Sequence, residues 1–194
     1  FVINESKHQL IGYLGDGNRF GAHISFVVQD SKGINNGSTS PGLAHALDSA
    51  YHLTREKTVF FGMPDTIMSP AGIFTRLRDS SDAADDLVLA LFPTKRPEKF
   101  GMVRLDRNDR VLEIVDKPAK TDLVYMWGCI MWRGRFTEHL HSCLSNGVSD
   151  FASILNSAIR AGMAVRGVAI DDGSYQDLGT YDEIMMLDHS LREP

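Results

Sequence analysis

Apolar residues in this chain fall into two kinds of block. Short runs at residues 59–61, 87–92, 124–132 and 163–170 carry the β-branched and aromatic side chains of buried strands. Longer stretches at 43–52, 134–144 and 150–161 repeat their apolar side chains at helical spacing. In the first of these, Leu43, Ala46, Leu47 and Ala50 share a face, Ser40 suits the N-cap and Pro41 the first helical position. Residues 1–3 read as a strand end, 7–13 as a short helix or turn, 22–29 as an alternating strand, and 70–77 as a helix. Residues 102–105 and 111–115 flank a polar turn and read as a hairpin. Asp150 suits an N-cap, and Thr180 with Glu183 forms a capping box that opens a last helix. Strand, loop, helix, strand is the order of a parallel sheet. The fold class expected is therefore α/β, a mostly parallel open sheet with helices on both faces and a small β-hairpin excursion.

Composition narrows the class. The chain has 194 residues, enough for one domain with a sizeable core. A net charge of -5 argues against a nucleic-acid-binding surface. No apolar run approaches the ~18 residues of a membrane-spanning helix, so no membrane partner is expected. The 2 cysteines, Cys129 and Cys143, have no metal-ligand spacing and suggest no disulfide framework, which fits a reducing, cytoplasmic compartment. A homo-oligomer is left open.

The candidate chemistry starts at Asp65. The strand at 59–61 is stopped by Gly62 and Pro64, and Asp65 follows at the C-terminal end of what reads as a parallel strand. Ligands bind just beyond such ends in open α/β sheets; the same position also suits a helix cap. The glycines of residues 14–21 precede a strand, whereas a dinucleotide fingerprint follows one, so that reading is rejected. The acidic run at 79–86 reads as a solvated surface loop. Gly128 interrupts an apolar strand, which often marks a close backbone approach by a ligand or another strand.

Six segments in order resemble the sugar-phosphate nucleotidyltransferases, with the glucose-1-phosphate thymidylyl-, uridylyl- and cytidylyltransferases the nearest kind. They are the glycine-rich 14–21 with the strand ending in Gln29, the Pro41-Gly42 helix start, the Gly62–Met68 segment around Asp65, residues 96–103 around Gly101, Asp116-Lys117-Pro118, and Asp177–Thr180. The resemblance covers nearly the whole chain. It implies a Rossmann-like fold and the attack of a sugar-1-phosphate oxygen on the α-phosphorus of a nucleoside triphosphate, with pyrophosphate leaving. It implies Mg²⁺ held by Asp65 and Asp177, Lys117 on the sugar phosphate, and Gln29, Pro41 and Gly42 at the nucleobase. Gly101, Asp116 and Gly128 would line the sugar pocket. The family's phosphate-binding loop is not matched, so a single nucleotidyltransferase domain lacking its N-terminal strand is expected, with weak or no turnover by the isolated chain. Trp127 precedes Gly128 where a small residue is common, and is expected to narrow the sugar pocket. Asp116 replaces a glutamate and shortens that arm.

Other readings of these residues stay open. Lys117 is also suited to a solvated hairpin end, Gln29 to a strand terminus, and Asp177 to the loop before a capped helix. A metal-dependent glycosyltransferase is a second class; it would want two aspartates one residue apart, and Asp65-Thr66-Ile67 lacks the second. A non-catalytic nucleotide-sugar-binding chain is the third.

Overall fold

The computed structural model describes residues 1–29 and 42–192, and they divide into two compact units. The polar loop expected at 30–40, the Ser40 cap and Pro41 lie outside the described residues.

The first unit comprises residues 1–57 and 134–154. Strands β1 (Val2–Asn4) and β2 (Val27–Gln29) run parallel, with Asn4 opposite Gln29. Between them come α1 (Gln9–Leu14) and a glycine-rich turn. Gly17 there has φ +89°, and a Cβ would lie 2.5 Å from the Ala22 carbonyl oxygen, so both backbone and space require glycine. The expected 43–52 helix is two pieces, α2 (Leu43–Ser49) and α3 (Tyr51–Thr54), broken at Ala50. The face expected to be buried is only half-covered, and the fully buried residue is Ala44. Helix α5 (Gly134–Ser145) packs on α2 and α3 through buried Phe136 and Leu140. Asp48 Oδ1 lies 2.8 Å from His141 Nδ1, and the His141 ring stacks on Tyr51, whose hydroxyl donates to Glu138. Helix α6 (Phe151–Arg160) begins in this unit, with the Asp150 carboxylate accepting from the Ser153 amide as its sequence position predicts.

The second unit holds the main sheet. Its strands are β3 (Val59–Phe61), β5 (Leu87–Pro93), β6 (Gly101–Leu105), β7 (Val111–Asp116), β8 (Tyr125–Trp132) and β9 (Val165–Ala169), in the order β7-β6-β8-β5-β9 with β3 also on β8. Only β5 and β9 pair in parallel; the other ladders are antiparallel, so this sheet is mixed. The sequence signal explains the difference. Six consecutive buried residues, Leu87 to Phe92, read the same whatever the direction of the neighbours. Helix α4 (Ile73–Ser80) covers one face with buried Ile73 and Leu77, which join Val88, Phe92, Met102, Met126 and Met131 in one core.

The hairpin β6–β7 is the sheet's edge rather than an excursion. Met102 pairs with Met126 of β8, and at the hairpin's turn the Asp109 carbonyl accepts from Gly167 of β9 at 2.8 Å. The Asp106 carboxylate holds the turn by accepting from the Asn108 and Arg110 amides.

The acidic run is exposed at most positions, as expected, but it starts in the last turn of the helix before it and ends in a buried anchor. Asp85 is fully buried and accepts from Arg110 Nη1 at 2.5 Å and Arg166 Nε at 2.7 Å, while Asp82 takes a second nitrogen of Arg166. The Asp86 carboxylate accepts from the Ala164 amide. These four-charge contacts join the start of β5 to β9 and to the hairpin turn.

Two strands escape the sequence pattern. β4 (Thr66–Ser69) and β10 (Ser174–Asp177) pair antiparallel as a separate two-stranded sheet, Thr66 opposite Asp177. Helix α7 (Tyr181–Arg192) follows, and its capping box forms: the Glu183 amide donates to Thr180 Oγ1, and Glu183 Oε2 accepts from the Thr180 amide. Among the described residues no helix is long and apolar enough to cross a membrane.

Candidate active site

Asp65 is exposed, in a turn, and its approach differs from the expected one. The preceding strand β3 is paired antiparallel to β8, with Phe60 40% exposed. What places Asp65 is the turn after it. The Thr66 hydroxyl donates to the Met63 carbonyl at 2.8 Å, and the chain enters β4. Because β4 pairs with β10, the Leu178 amide donates to the Asp65 carbonyl at 2.8 Å. The backbones of Asp65 and Asp177, 112 positions apart in sequence (177 − 65), thus lie side by side at one end of the small ladder.

The charges of both reach one phenol. Burial pushes the Tyr175 hydroxyl up to about 12, against a hydrogen bond with the Thr66 hydroxyl, and the Asp177 and Asp65 carboxylates push it the same way as burial. Asp177 Oδ1 accepts from the Gly179 amide at 3.2 Å, and among the described residues neither aspartate is in an ion pair. Among the described residues no group of three or more His, Cys, Asp or Glu side chains is arranged to hold a metal ion by itself. Two hard carboxylates without a cage are the protein share that Mg²⁺ commonly takes, its other positions going to water and substrate phosphate.

Tyr175 also accounts for Gly128. Strand β8 bulges there: Ala90 pairs with Cys129 and Leu91 with Trp127, leaving Gly128 unmatched. A Cβ on Gly128 would lie 2.6 Å from Phe92 Cε2 and 2.7 Å from Tyr175 Cδ2. The approach foreseen at this glycine is made by two aromatic rings. Gly128→Ala is expected to destabilise the protein by about 1–3 kcal/mol through displacement of those rings, read as a lower urea midpoint at unchanged slope.

Lys117 follows β7 in a left-handed conformation, φ +44°, uncommon for a residue with a Cβ. Its amide donates to the Phe100 carbonyl at 3.0 Å, and its side chain is exposed. Gly101 opposes Asp116, and the Trp127 indole occupies the place of a Gly101 Cβ. Trp127 pairs with Leu91, whereas Met126 pairs with Phe92, the ring that meets Tyr175. Side chains alternate along a strand, so Trp127 lies on the sheet face opposite Tyr175 and does not narrow the space beside it.

A cleft beside Asp177 is lined by Arg96, Tyr175, Glu183, Met186 and Leu187. Tyr175 escapes sequence reasoning, and Arg96 opens the 96–103 segment without a role being assigned to it there. The signal available was alternation in residues 174–177, which puts Tyr175 and Asp177 on one side of a strand.

Gln29 and Gly42 belong to the first unit. Gln29 is half-buried at the C-terminal end of the parallel β1–β2 pair. Gly42 caps α2 in extended conformation, with open space where its Cβ would be.

The sequence matches the family model for nucleotidyl transferases over residues 1–193. The chain belongs to the nucleotidyl transferase family. This family member is 25% identical over 206 aligned positions to a glucose-1-phosphate thymidylyltransferase of Streptomyces griseus, covering 99% of this chain and 52% of that protein. It is 22% identical over 209 positions to a low-salt glycan biosynthesis nucleotidyltransferase of Haloferax volcanii, covering 98% and 53%. The chain thus spans about half the length of these curated relatives. A crystal structure of a Bacillus anthracis protein, described as a glucose-1-phosphate thymidylyltransferase in complex with sucrose, superposes with a TM-score of 0.78 at 17% identity. That match covers 100% of this nucleotidyl transferase chain and 75% of the other, and it shows the shared α/β fold.

Proposed function

We propose that this chain condenses a nucleoside triphosphate with a sugar-1-phosphate, giving a nucleotide-sugar and pyrophosphate. The observation that carries the reading is the β4–β10 ladder, which lays Asp65 and Asp177 side by side on backbone hydrogen bonds. Family membership and the two thymidylyl- and glycan-nucleotidyltransferase relatives support the same chemistry.

A sugar-phosphate oxygen forms a bond to the α-phosphorus, and the bond from that phosphorus to the bridging oxygen of pyrophosphate breaks. Little covalent work falls to the protein; alignment and charge neutralisation dominate. Asp65 and Asp177 would hold a Mg²⁺ ion, which supplies charge neutralisation at the triphosphate. Lys117 meets the sugar phosphate as a compact cation. Gln29 presents a donor and an acceptor to a base edge, and Pro41-Gly42 lets the base lie against backbone. Asp116, which is exposed, is assigned to the sugar; Gly101 and Gly128, expected beside it, have their Cβ positions taken by the Trp127 indole and by the Phe92 and Tyr175 rings. The test combines pyrophosphate release from a panel of nucleoside triphosphates and sugar-1-phosphates with calorimetric titration of the same compounds. Formation of one nucleotide-sugar supports the reading; absence of Mg²⁺-dependent nucleotide binding across the panel overturns it.

In the full-length protein, Lys117→Ala is expected to lower turnover at limiting sugar phosphate by about ten- to a hundredfold, the loss of a charge-assisted bond of roughly 1.5–3 kcal/mol. Nucleotide affinity should change much less. Steady-state kinetics with varied sugar phosphate, beside nucleotide calorimetry, separates the two.

A further inference from the structure

Lys99 closes the short turn Pro97–Lys99 just before Phe100 and Gly101. Its Nζ lies 2.9 Å from Glu183 Oε1 in the first turn of α7. The other carboxylate oxygen, Oε2, accepts from the Thr180 hydroxyl at 2.9 Å and the Thr180 amide at 3.2 Å. Glu183 therefore divides its two oxygens between a remote loop and the start of its own helix. Its side chain is only 16% exposed, and the Lys99 ammonium, followed by the Thr180 hydroxyl, holds its carboxyl below the usual range.

Each end of this bridge leads to a residue of the proposed site. Thr180 follows Asp177 by three positions, across Gly179, whose amide holds Asp177 Oδ1. Phe100, next to Lys99, accepts the Lys117 amide on its carbonyl, and its ring meets Tyr175 edge-on at 5.9 Å. The path Lys117–Phe100–Lys99–Glu183–Thr180–Asp177 is continuous in bonds and contacts within the second unit. The Phe100–Tyr175 ring contact also joins the two segments, which otherwise belong to different sheets, the hairpin edge and the β4–β10 ladder.

We propose that Lys99 and Glu183 are positioning residues that fix the spacing between Lys117 and Asp177, the sugar-phosphate and metal ends of the site. The proposal rests on the function proposed above. An exposed ion pair is often worth nothing. This one differs because its carboxylate is mostly covered and already committed to the helix cap. Removing Lys99 cuts the strap and leaves the cap intact.

The experiment compares wild type, Lys99→Met and Lys99→Arg in the full chain, by kinetics and by amide hydrogen exchange. Lys99→Met should raise the half-saturating sugar-1-phosphate and Mg²⁺ concentrations together, about three- to fivefold, with kcat within twofold, as expected of a pair at the upper end for partly exposed ions. Lys99→Arg should restore both. Raising ionic strength from about 0.01 M to about 1 M, which shortens the screening length from about 30 Å to about 3 Å, should move amide exchange at 178–180 in wild type toward that of the Met variant and leave that variant's exchange in place. Exchange at residues 178–180 should be several-fold faster in Lys99→Met and as in wild type in Lys99→Arg. Unchanged exchange at 178–180 overturns the strap, and faster exchange with unchanged saturation overturns its positioning role. If no variant, wild type included, binds nucleotide with Mg²⁺, the function proposed above falls, and the exchange contrast still decides the strap.

Discussion

On the proposed function, Asp177→Asn should lower pyrophosphate release by about a thousandfold, an effect near 4 kcal/mol for losing one of the two carboxylates proposed to hold the metal. The substitution is chosen because asparagine keeps the acceptor oxygen that Gly179 uses and leaves the β10–β4 hydrogen bonds alone. Thermal stability should therefore stay within about a degree or two, separating a chemical loss from a folding loss. Asp65→Asn should cost a similar factor, and the double variant little more, because groups serving one ion act as a unit. An independent readout needs no turnover. Removing the Asp177 charge favours the phenolate of Tyr175, so its titration should fall from about 12. A Tyr175 titration that does not move, with turnover intact, would take Asp177 out of the site.

Asp85→Ala should destabilise the second unit by about 3 kcal/mol, the lower end for breaking a buried ion pair, because Arg110 and Arg166 retain some solvent. That corresponds to a fall in Tm of roughly 6–12 °C. The pH dependence has a definite sign. Burial, the largest single influence, pushes the Asp85 carboxyl up, but hydrogen bonds from the Asp82 amide, Arg166 and Arg110 together bring it below its ordinary value. A depressed folded value means the contribution is complete above the unfolded carboxylate value near ~3.9 and is lost as pH falls through the folded one. The gap between wild type and Asp85→Ala should thus be full at neutral pH and narrow in acid below that range. Urea midpoints measured across pH 2–7, as a planned range of order five units, check both size and sign.

The elements legible in the sequence are those whose signals are local. The run 87–92, the hairpin, the strand at 124–132, the Asp150 cap and the Thr180–Glu183 box each carry their evidence within a few residues. The ladder β4–β10 does not. Each strand has four residues and no apolar run, and each exists because the other pairs with it. Asp85 shows the same limit: its partners are 25 and 81 positions away, so a stretch of Asp, Ser and Ala looks solvated. Strand direction was misread for β3 because an apolar run does not encode its neighbour's polarity. At the candidate site, motif resemblance pointed to Asp65, Lys117 and Asp177, while Tyr175, between the two aspartates electrostatically, needed the fold to be seen.

The left-handed backbone at Lys117 bears on how such a sequence is maintained. Glycine or asparagine adopt φ near +44° at less cost, by roughly 1 kcal/mol for glycine. Selection for foldability alone would drift away from lysine at this position. A lysine there is a small standing sacrifice of robustness, and on the proposed function its ammonium is what offsets it.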